Sequence, residues 1–260
     1  MKKIRVVTAT SLFDGHDASI NIFRRLFQKK GFEVIHLGHN RSVIEIVQTA
    51  IEEDANAILA SSYQGGHNEY YSYIIDLLKE KNADDIMVFG GGGGVILPAE
   101  IEKLEKYGVT RIYHADVGRQ MGIHGIVDEI RQKITAGFRA KDKKKDLNNI
   151  VIDSLNPKET RTLSKLISYA EDCGEDAFFR EYKQQIKLKA DSQTHPVVIG
   201  ITGTGGSGKS SICDELINRF IKFSLDVHVA VLAVDPSKSS TGGALLGDRI
   251  RMNSIFRDRV

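Results

Sequence analysis

The sequence predicts two α/β regions joined by a helical stretch, and three observations support this architecture. First, β-rich runs alternate with amphipathic helical periodicity five times in about the first 135 residues. Second, the charged run 141–146 ends this alternation, and only helical periodicity follows it up to Pro196. Third, a new apolar run, 197–202, then leads into a glycine-rich loop. We therefore expect a parallel sheet in the first region and the start of another in the second.

The first region consists of five strand–helix units. Its predicted strands are Ile4–Ala9, Val34–Leu37, Ala57–Ala60, Ile86–Phe89 and Arg111–Tyr113. After the first strand, Ile20, Phe23 and Phe27 recur at helical spacing, and similar patterns follow the other strands. Right-handed crossovers place such helices on both faces of a parallel sheet. We therefore predict a flavodoxin-like (Rossmann-like) domain with strand order 2-1-3-4-5.

Three segments follow from these patterns: the sheet domain at 1–138, a helical linker at 139–195, and a second α/β domain at 196–260. The second domain is predicted to contain the strands 197–202 and 228–234. Because it holds only about 65 residues, and domains commonly run to 100 or more, we expect it to be the N-terminal part of a larger domain.

Composition excludes several classes of protein. The 260 residues are 41% hydrophobic and carry a net charge of +2, which excludes a disordered chain and disfavours nucleic acid as a partner. The two cysteines, Cys173 and Cys213, favour a reducing compartment, so we expect a cytoplasmic protein. Because no apolar run approaches the roughly 20 residues that cross a bilayer, neither a signal peptide nor a membrane anchor is expected.

The second domain opens with a phosphate-binding motif between an apolar run and a helical pattern. Its residues, which match G-x-x-x-x-G-K-[ST] and run on into the helix, are Gly203, Thr204, Gly205, Gly206, Ser207, Gly208, Lys209, Ser210 and Ser211. Backbone N–H groups would surround the phosphates, and Lys209 would be the catalytic charge. Ser210 would bind Mg²⁺, and Asp235, at the end of the next predicted strand, is the second candidate ligand.

Polar residues also follow the strands of the first domain, at the carboxyl edge where doubly wound sheets bind ligands. They are Asp14, His16, Ser61, Ser62, Gly91, Gly92, Gly93, Gly94 and His114, with His67 as a lesser candidate. The absence of G-x-G-x-x-G after the first strand disfavours a dinucleotide. His16, with Asp14 two residues away, suits a metal ligand oriented by a carboxylate. A single histidine binds a free ion poorly, but it could serve as one axial ligand to a metal already held by a macrocycle; taken alone, the three residues 14–16 also suit an ordinary surface loop.

These residues resemble the D-x-H-x-x-G, S-x-L and G-G pattern of cobalamin-binding domains across about residues 1–135. The resemblance implies that His16 binds cobalt from below, with Asp14 as its partner, and that Ser61 contacts the displaced nucleotide tail. It also implies that Gly91 to Gly94 let this tail approach the backbone. Two residues depart from the pattern, because Ser19 replaces the glycine and Tyr63 the leucine. We therefore expect a slightly altered groove.

From about Pro196 onward, the sequence resembles the metallochaperone GTPases that service cobalamin-dependent acyl-CoA mutases. The segments that carry this resemblance are 233–237 and 241–252. It implies GTP rather than ATP. Together, the two halves resemble acyl-CoA mutases with a built-in G-protein chaperone, which implies that a longer parent interconverts isobutyryl-CoA and n-butyryl-CoA with adenosylcobalamin. GTP hydrolysis would gate cofactor loading, and we expect a homodimer.

Two other classes of function stay open. A cobalamin-binding carrier or regulator would explain His16 but not the phosphate loop. A P-loop ATPase or kinase with an unrelated flavodoxin-like domain would explain Lys209 but leave the spacing of Asp14, His16 and Ser61 to chance.

Overall fold

The computed structural model of the chain describes residues 4–16, 18–92, 95–140, 159–173, 177–191, 196–232, 252–256 and 259–260. Its contacts divide the chain into two compact units, Met1–Lys143 with Pro236–Leu245 and Lys144–Asp235 with Leu246–Val260. Within the described residues, the first unit contains the sheet, and the second contains helices and irregular segments.

Strands and helices alternate through the first unit. The strands are β1 (Ile4–Ser11), β2 (Phe32–Arg41), β3 (Ala57–Ser61), β4 (Met87–Gly91) and β5 (Arg111–Tyr113). The helices are α1 (Ala18–Lys29), α2 (Val43–Glu52), α3 (His67–Glu80), α4 (Pro98–Tyr107) and α5 (Ala115–Ala140). All pairings are parallel in the order β2-β1-β3-β4-β5, which confirms the predicted flavodoxin-like fold.

Local sequence explains these elements. All five residues of β3 are buried, as expected for a central strand with helices on both faces. Ser42 begins α2 with a capping box, in which Glu45 bonds back to the Ser42 backbone. Gly31 follows α1 with a φ of 81°, a left-handed conformation that favours glycine. Gly122 interrupts α5 with a φ of 68° and a ψ of 166°.

A hydrophobic core joins α1 and α5 to the sheet. Its buried members include Val6, Phe27, Phe32, Val34, Ala57, Leu59, Phe89, Tyr113, Ile126, Val127, Ile130 and Ile134. One face of the sheet is marked by residues at every second position: Ala57 and Leu59 in β3, Val6 with the partly buried Ile4 in β1, and Phe89 with the partly buried Met87 in β4. This alternation fixes which residues at the strand ends share that face.

Among its described residues, the second unit contains three longer helices and a short 3₁₀ turn, Ser254–Phe256. The helices are α6 (Thr160–Cys173), α7 (Ala177–Asp191) and α8 (Lys209–Phe223). The helical periodicity of the predicted linker is confirmed where it is described, whereas 141–158 lie outside the described residues. The linker boundaries stay a prediction.

The predicted strand 197–202 is wrong, and no strand forms at 228–232 either. Val197 and Val198 are 89% and 87% exposed. A strand requires a ladder of hydrogen bonds to a neighbouring backbone, and the Val229 N–H bonds to the Arg259 carbonyl without extending into such a ladder. The apolar pattern therefore has the composition of a strand but does not supply a pairing partner.

Candidate functional site

The predicted residues of the first unit gather at the carboxyl edge of the sheet. Asp14 and His16 lie in the loop between β1 and α1. Ser61 ends β3, Gly91 ends β4, and His114 directly follows β5. Because the strands are parallel, these positions share one edge, as the sequence predicted.

Asp14 holds His16 by its side chain and its backbone. The Asp14 Oδ1 accepts from the His16 N–H at 2.9 Å and lies 2.8 Å from Nδ1. The carboxylate can only accept, so the neutral form of this imidazole carries its proton on Nδ1 and its lone pair on Nε2. The Asp14 side chain is 1% exposed and that of His16 is 74% exposed. A buried carboxylate therefore presents an accessible nitrogen lone pair.

The electrostatic state of Asp14 follows from its contacts. Burial favours the neutral carboxyl, but N–H donors from Tyr63 and His16 outweigh it and hold the pKa of Asp14 below its ordinary value. The Tyr63 N–H lies 2.6 Å from the Asp14 Oδ2, so both oxygens are used. Asp14 is consequently ionised at neutral pH and can orient the imidazole.

A row of residues crosses the sheet at this edge. The strand registers pair Thr10 with Ser61, Ser61 with Gly91, and Gly91 with Tyr113. Strand alternation places this row on the face that α1 and α5 cover. The Thr10 hydroxyl is buried and has no hydrogen-bond partner among the described residues. A buried hydroxyl without a partner costs free energy, so this row offers an unused polar group beside Ser61.

Ser62 lies on the opposite side of the same strand end. It is fully buried, and its hydroxyl accepts from the Ser11 hydroxyl at 3.0 Å. Gln64 Nε2 also donates to the Ser11 Oγ and to the Leu12 carbonyl. Ser62 therefore joins the β1 and β3 loops in this structure, whereas Ser61 belongs to the row that crosses the opposite face of the sheet.

The described glycines at the end of β4 and directly after it differ in how closely other atoms approach them. A Cβ on Gly92 would lie 1.9 Å from the Ser62 carbonyl oxygen, so only glycine fits there. A Cβ on Gly90 would lie 2.7 Å from the Tyr71 ring. At Gly91 the nearest atom would be 3.5 Å away, which is ordinary contact. Gly93 and Gly94 lie outside the described residues.

His67 and His114 differ in their surroundings. His67 is 3% exposed, and its ring nitrogens face the Gln64 carbonyl at 3.1 Å and the Glu100 Oε2 at 3.0 Å. The sequence marks His67 as a lesser candidate but does not reveal its partner Glu100, which lies 33 residues away in the chain. His114 pairs with Asp116 at 3.1 Å.

Sequence reasoning also missed an interaction between the two residues that depart from the cobalamin-domain pattern. The Ser19 hydroxyl and the Tyr63 phenol share a hydrogen bond of 2.8 Å. The Tyr63 ring centroid lies 5.3 Å from that of His16, with 36° between the planes. The comparison with the cobalamin-domain pattern had singled out Ser19 and Tyr63 separately, but the contact between them forms only when the chain folds.

The phosphate motif consists of the loop 203–208 and the first residues of α8. Gly206 and Gly208 have φ values of 80° and 83°, left-handed conformations that explain the glycines there. Lys209 begins α8, and its Nζ donates to the Thr204 carbonyl at 2.7 Å. The Ser207 hydroxyl donates to the same oxygen at 2.9 Å. The first N–H groups of α8, including that of Ser210, point toward the loop as helix geometry requires.

The two predicted magnesium ligands differ in whether the structure describes them. Ser210 lies in the first turn of α8, while Asp235 falls outside the described residues. In the described part of the chain, His, Cys, Asp and Glu side chains form no group of three that could hold a metal ion. Among the same residues, no helix has both the length and the apolar character to cross a membrane.

Two family models match separate parts of the chain. Residues 4–117 match the B12 binding domain, and residues 163–259 match the methylmalonyl Co-A mutase-associated GTPase MeaB. These matches indicate cobalamin and GTP as the ligands, with the Mg²⁺ typical of GTPases. They also confirm the predicted fold class, including the P-loop GTPase region after the sheet domain.

Two curated relatives align with nearly the whole chain, and a third aligns with about half of it. The chain is 48% identical to a fused isobutyryl-CoA mutase of Geobacillus kaustophilus and 49% identical to that of Cupriavidus metallidurans, over 99% of its own length in each case. It is also 33% identical to the 2-hydroxyisobutanoyl-CoA mutase small subunit of Aquincola tertiaricarbonis, covering 51% of this chain and 93% of that protein.

The fold, the carboxyl-edge site and the phosphate loop together define a cobalamin-binding domain joined to a G-protein chaperone of the MeaB type. The two fused mutases align with this whole combination. The chain belongs to the fused isobutyryl-CoA mutase family. It spans 23% of the length of the two fused mutases just named.

Proposed function

We propose that this chain is the cofactor-binding and nucleotide-binding part of an adenosylcobalamin-dependent acyl-CoA mutase with a fused GTPase chaperone. The observation that carries the proposal is the Asp14–His16 pair, in which a buried carboxylate fixes the tautomer of an exposed imidazole. His16 would bind cobalt through Nε2. When bound, adenosylcobalamin supplies homolysis of its cobalt–carbon bond, the source of radicals for carbon-skeleton rearrangement.

The residues present fit this cofactor. The unpartnered Thr10 hydroxyl lies in register beside Ser61, so two hydroxyls are available for the polar nucleotide tail. We assign Ser61, Ser62, His114 and the glycines 91–94 to the surroundings of the cofactor. Gly92 brings the β4 loop against the Ser62 backbone, and Asp14 keeps the His16 imidazole oriented.

We assign the nucleotide to residues 203–211, with Lys209 as the catalytic charge and Ser210 and Asp235 as ligands of Mg²⁺. Lys209 contacts the Thr204 carbonyl of the same loop, so its ammonium already lies over the turn that would surround the phosphates. GTP hydrolysis would act on cofactor loading rather than on the acyl-CoA, which is the role of a chaperone.

For a protein of the length of its relatives, we propose the interconversion of isobutyryl-CoA and n-butyryl-CoA. An acyl-CoA substrate, a homodimeric assembly and a cytoplasmic location belong to this proposal. So does the division into a cobalamin domain at 1–138, a linker at 139–195 and a GTPase part at 196–260. A P-loop ATPase with an unrelated flavodoxin-like domain would be the conclusion if the chain bound no cobalamin in the test below, and a cobalamin carrier would be the conclusion if it bound cobalamin but no nucleotide.

Absorbance titration of the 260-residue chain with aquocobalamin tests the site. The wild type should bind and develop the spectrum of a histidine-ligated cobalamin, and His16→Ala should lose that spectrum. His124→Ala, an exposed histidine on α5, is the matched control and should behave like the wild type. A His16→Ala chain with an unchanged spectrum would remove His16 from the cobalt.

A further inference from the structure

Tyr63 is held in place at three points around His16. Its backbone N–H donates to the Asp14 Oδ2 at 2.6 Å, its phenol bonds the Ser19 hydroxyl at 2.8 Å, and its ring lies 5.3 Å from the imidazole. Asp14 is the common anchor, because its other oxygen holds the His16 Nδ1. The four residues form one cluster that joins the β1 loop, the first turn of α1 and the β3 loop.

The bond to Asp14 does not by itself fix the imidazole. A hydrogen bond at Nδ1 restrains the distance and direction of one ring atom, but it leaves the tilt of the ring plane soft. The His16 side chain is 74% exposed, so little of its surface is packed against other residues that could restrain the ring. The Tyr63 ring supplies a lateral contact, and the Ser19 bond keeps that ring from swinging into solvent.

We propose that Tyr63, anchored by Ser19, is a positioning residue that sets the direction of the His16 Nε2. The inference rests on the proposed role of His16 as the cobalt ligand and extends it to two further side chains. It also gives one physical reason for two sequence features. A glycine and a leucine at these positions could not form the hydroxyl–phenol bond, so Ser19 and Tyr63 act as a matched pair.

Three single variants and one double variant separate the contributions. Tyr63→Phe and Ser19→Ala delete the same hydrogen bond, so each should weaken aquocobalamin binding by about two- to tenfold, and the double variant should be no worse than either single variant. Tyr63→Leu also removes the ring contact and should weaken binding further. Thermal unfolding of each unliganded variant checks that the fold is retained, and Tyr63→Phe and Ser19→Ala carry the test if Tyr63→Leu does not fold.

Two spectroscopic measurements distinguish positioning from a general effect on the fold. The electron paramagnetic resonance spectrum of bound cob(II)alamin reports the axial nitrogen, and the Tyr63→Leu variant should show a mixture with and without it. In the unliganded chain, the ring protons of His16 should shift in the nuclear magnetic resonance spectrum once the Tyr63 ring is removed.

The results that would overturn the positioning role of Tyr63 differ from those that would overturn the role of His16 as the cobalt ligand. If His16→Ala abolishes the axial nitrogen signal while Tyr63→Leu and Tyr63→Phe keep wild-type signals and affinity, the positioning role is overturned and the cobalt ligand stands. Additive effects of Tyr63→Phe and Ser19→Ala would also overturn it. If His16→Ala keeps the nitrogen signal, the ligand assignment itself fails.

Discussion

Asp14 is the residue on which the candidate site depends most strongly. Its side chain is 1% exposed, yet it accepts from two backbone N–H groups and one imidazole. Desolvation raises the pKa of the Asp14 carboxyl, and the hydrogen-bond donors together outweigh it and hold the pKa below its ordinary value. One short side chain thus controls both the proton position of His16 and the docking of the β3 loop.

We expect Asp14→Asn to destabilise the chain by about 1–3 kcal/mol at pH 7, because an amide cannot accept at both positions. The pKa of Asp14 is lowered in the folded state, so its contribution is fully present above its ordinary pKa of 3.8 and is lost as the pH falls through the lower folded value. Urea unfolding of both chains from pH 7 downward should show the difference shrinking only below about pH 4. A difference independent of pH would contradict the charge assignment.

At the scale of elements, His67 and Glu100 connect α3 to the loop that precedes α4. The Glu100 carboxylate accepts from the Leu97 N–H at 2.8 Å, from Asn68 at 2.9 Å and from His67 at 3.0 Å. The Gln64 carbonyl on the other side of His67 extends this connection to the β3 loop. A buried histidine and its carboxylate partner therefore set the course of the segment after the glycine run.

Glu100→Ala should free the Leu97 N–H and accelerate its hydrogen exchange, and it should lower stability because the buried His67 is left without its acceptor. Glu102→Ala is the control, because Glu102 lies on the same helix in an exposed ion pair with Lys106. Hydrogen exchange of the Leu97 N–H, measured by mass spectrometry or nuclear magnetic resonance, should be faster in Glu100→Ala than in Glu102→Ala. Equal protection in both variants would contradict this connection.

The loop before α8 makes a second prediction at this scale. Lys209→Ala should lower the affinity for Mg²⁺-GTP by about 10- to 100-fold, because it removes the charged donor nearest the turn. Lys222→Ala, at the other end of the same helix, should leave the affinity unchanged. Calorimetric titration with GTP and with ATP measures both effects and the base preference together. Wild-type affinity in Lys209→Ala would refute the assignment.

The amino-acid sequence predicted the strands and helices of the sheet domain better than the side-chain hydrogen bonds between its loops. Alternating runs determine a parallel sheet and its carboxyl edge, so Asp14, His16 and Ser61 could be placed together from the sequence pattern alone. The Ser19–Tyr63 and His67–Glu100 bonds join residues 44 and 33 positions apart, and their formation depends on how two loops fold. The run 197–202 has strand composition, but composition does not determine whether a paired neighbour exists.

At the scale of the whole molecule, one chain carries a cobalamin domain and a GTPase segment, which gives each a high effective concentration for the other. We expect their ligands to be coupled. A nucleotide that changes the affinity for adenosylcobalamin by some factor must have its own affinity changed by the same factor. Adenosylcobalamin titrations without nucleotide, with GDP and with a non-hydrolysable GTP analogue measure the first factor, and the reverse titrations measure the second. Identical affinities in all conditions would restrict the GTPase to a kinetic role.

The glycine run has a consequence for the variation that this protein can tolerate. At Gly92 any side chain would overlap the Ser62 carbonyl, while at Gly91 the nearest atom to an added carbon lies at an ordinary distance. Folding therefore tolerates a small side chain at position 91 but selects against any side chain at position 92. In a saturation library sorted for folded protein, the first codon should accept alanine and serine and the second should return glycine alone, although the two letters are indistinguishable in the sequence.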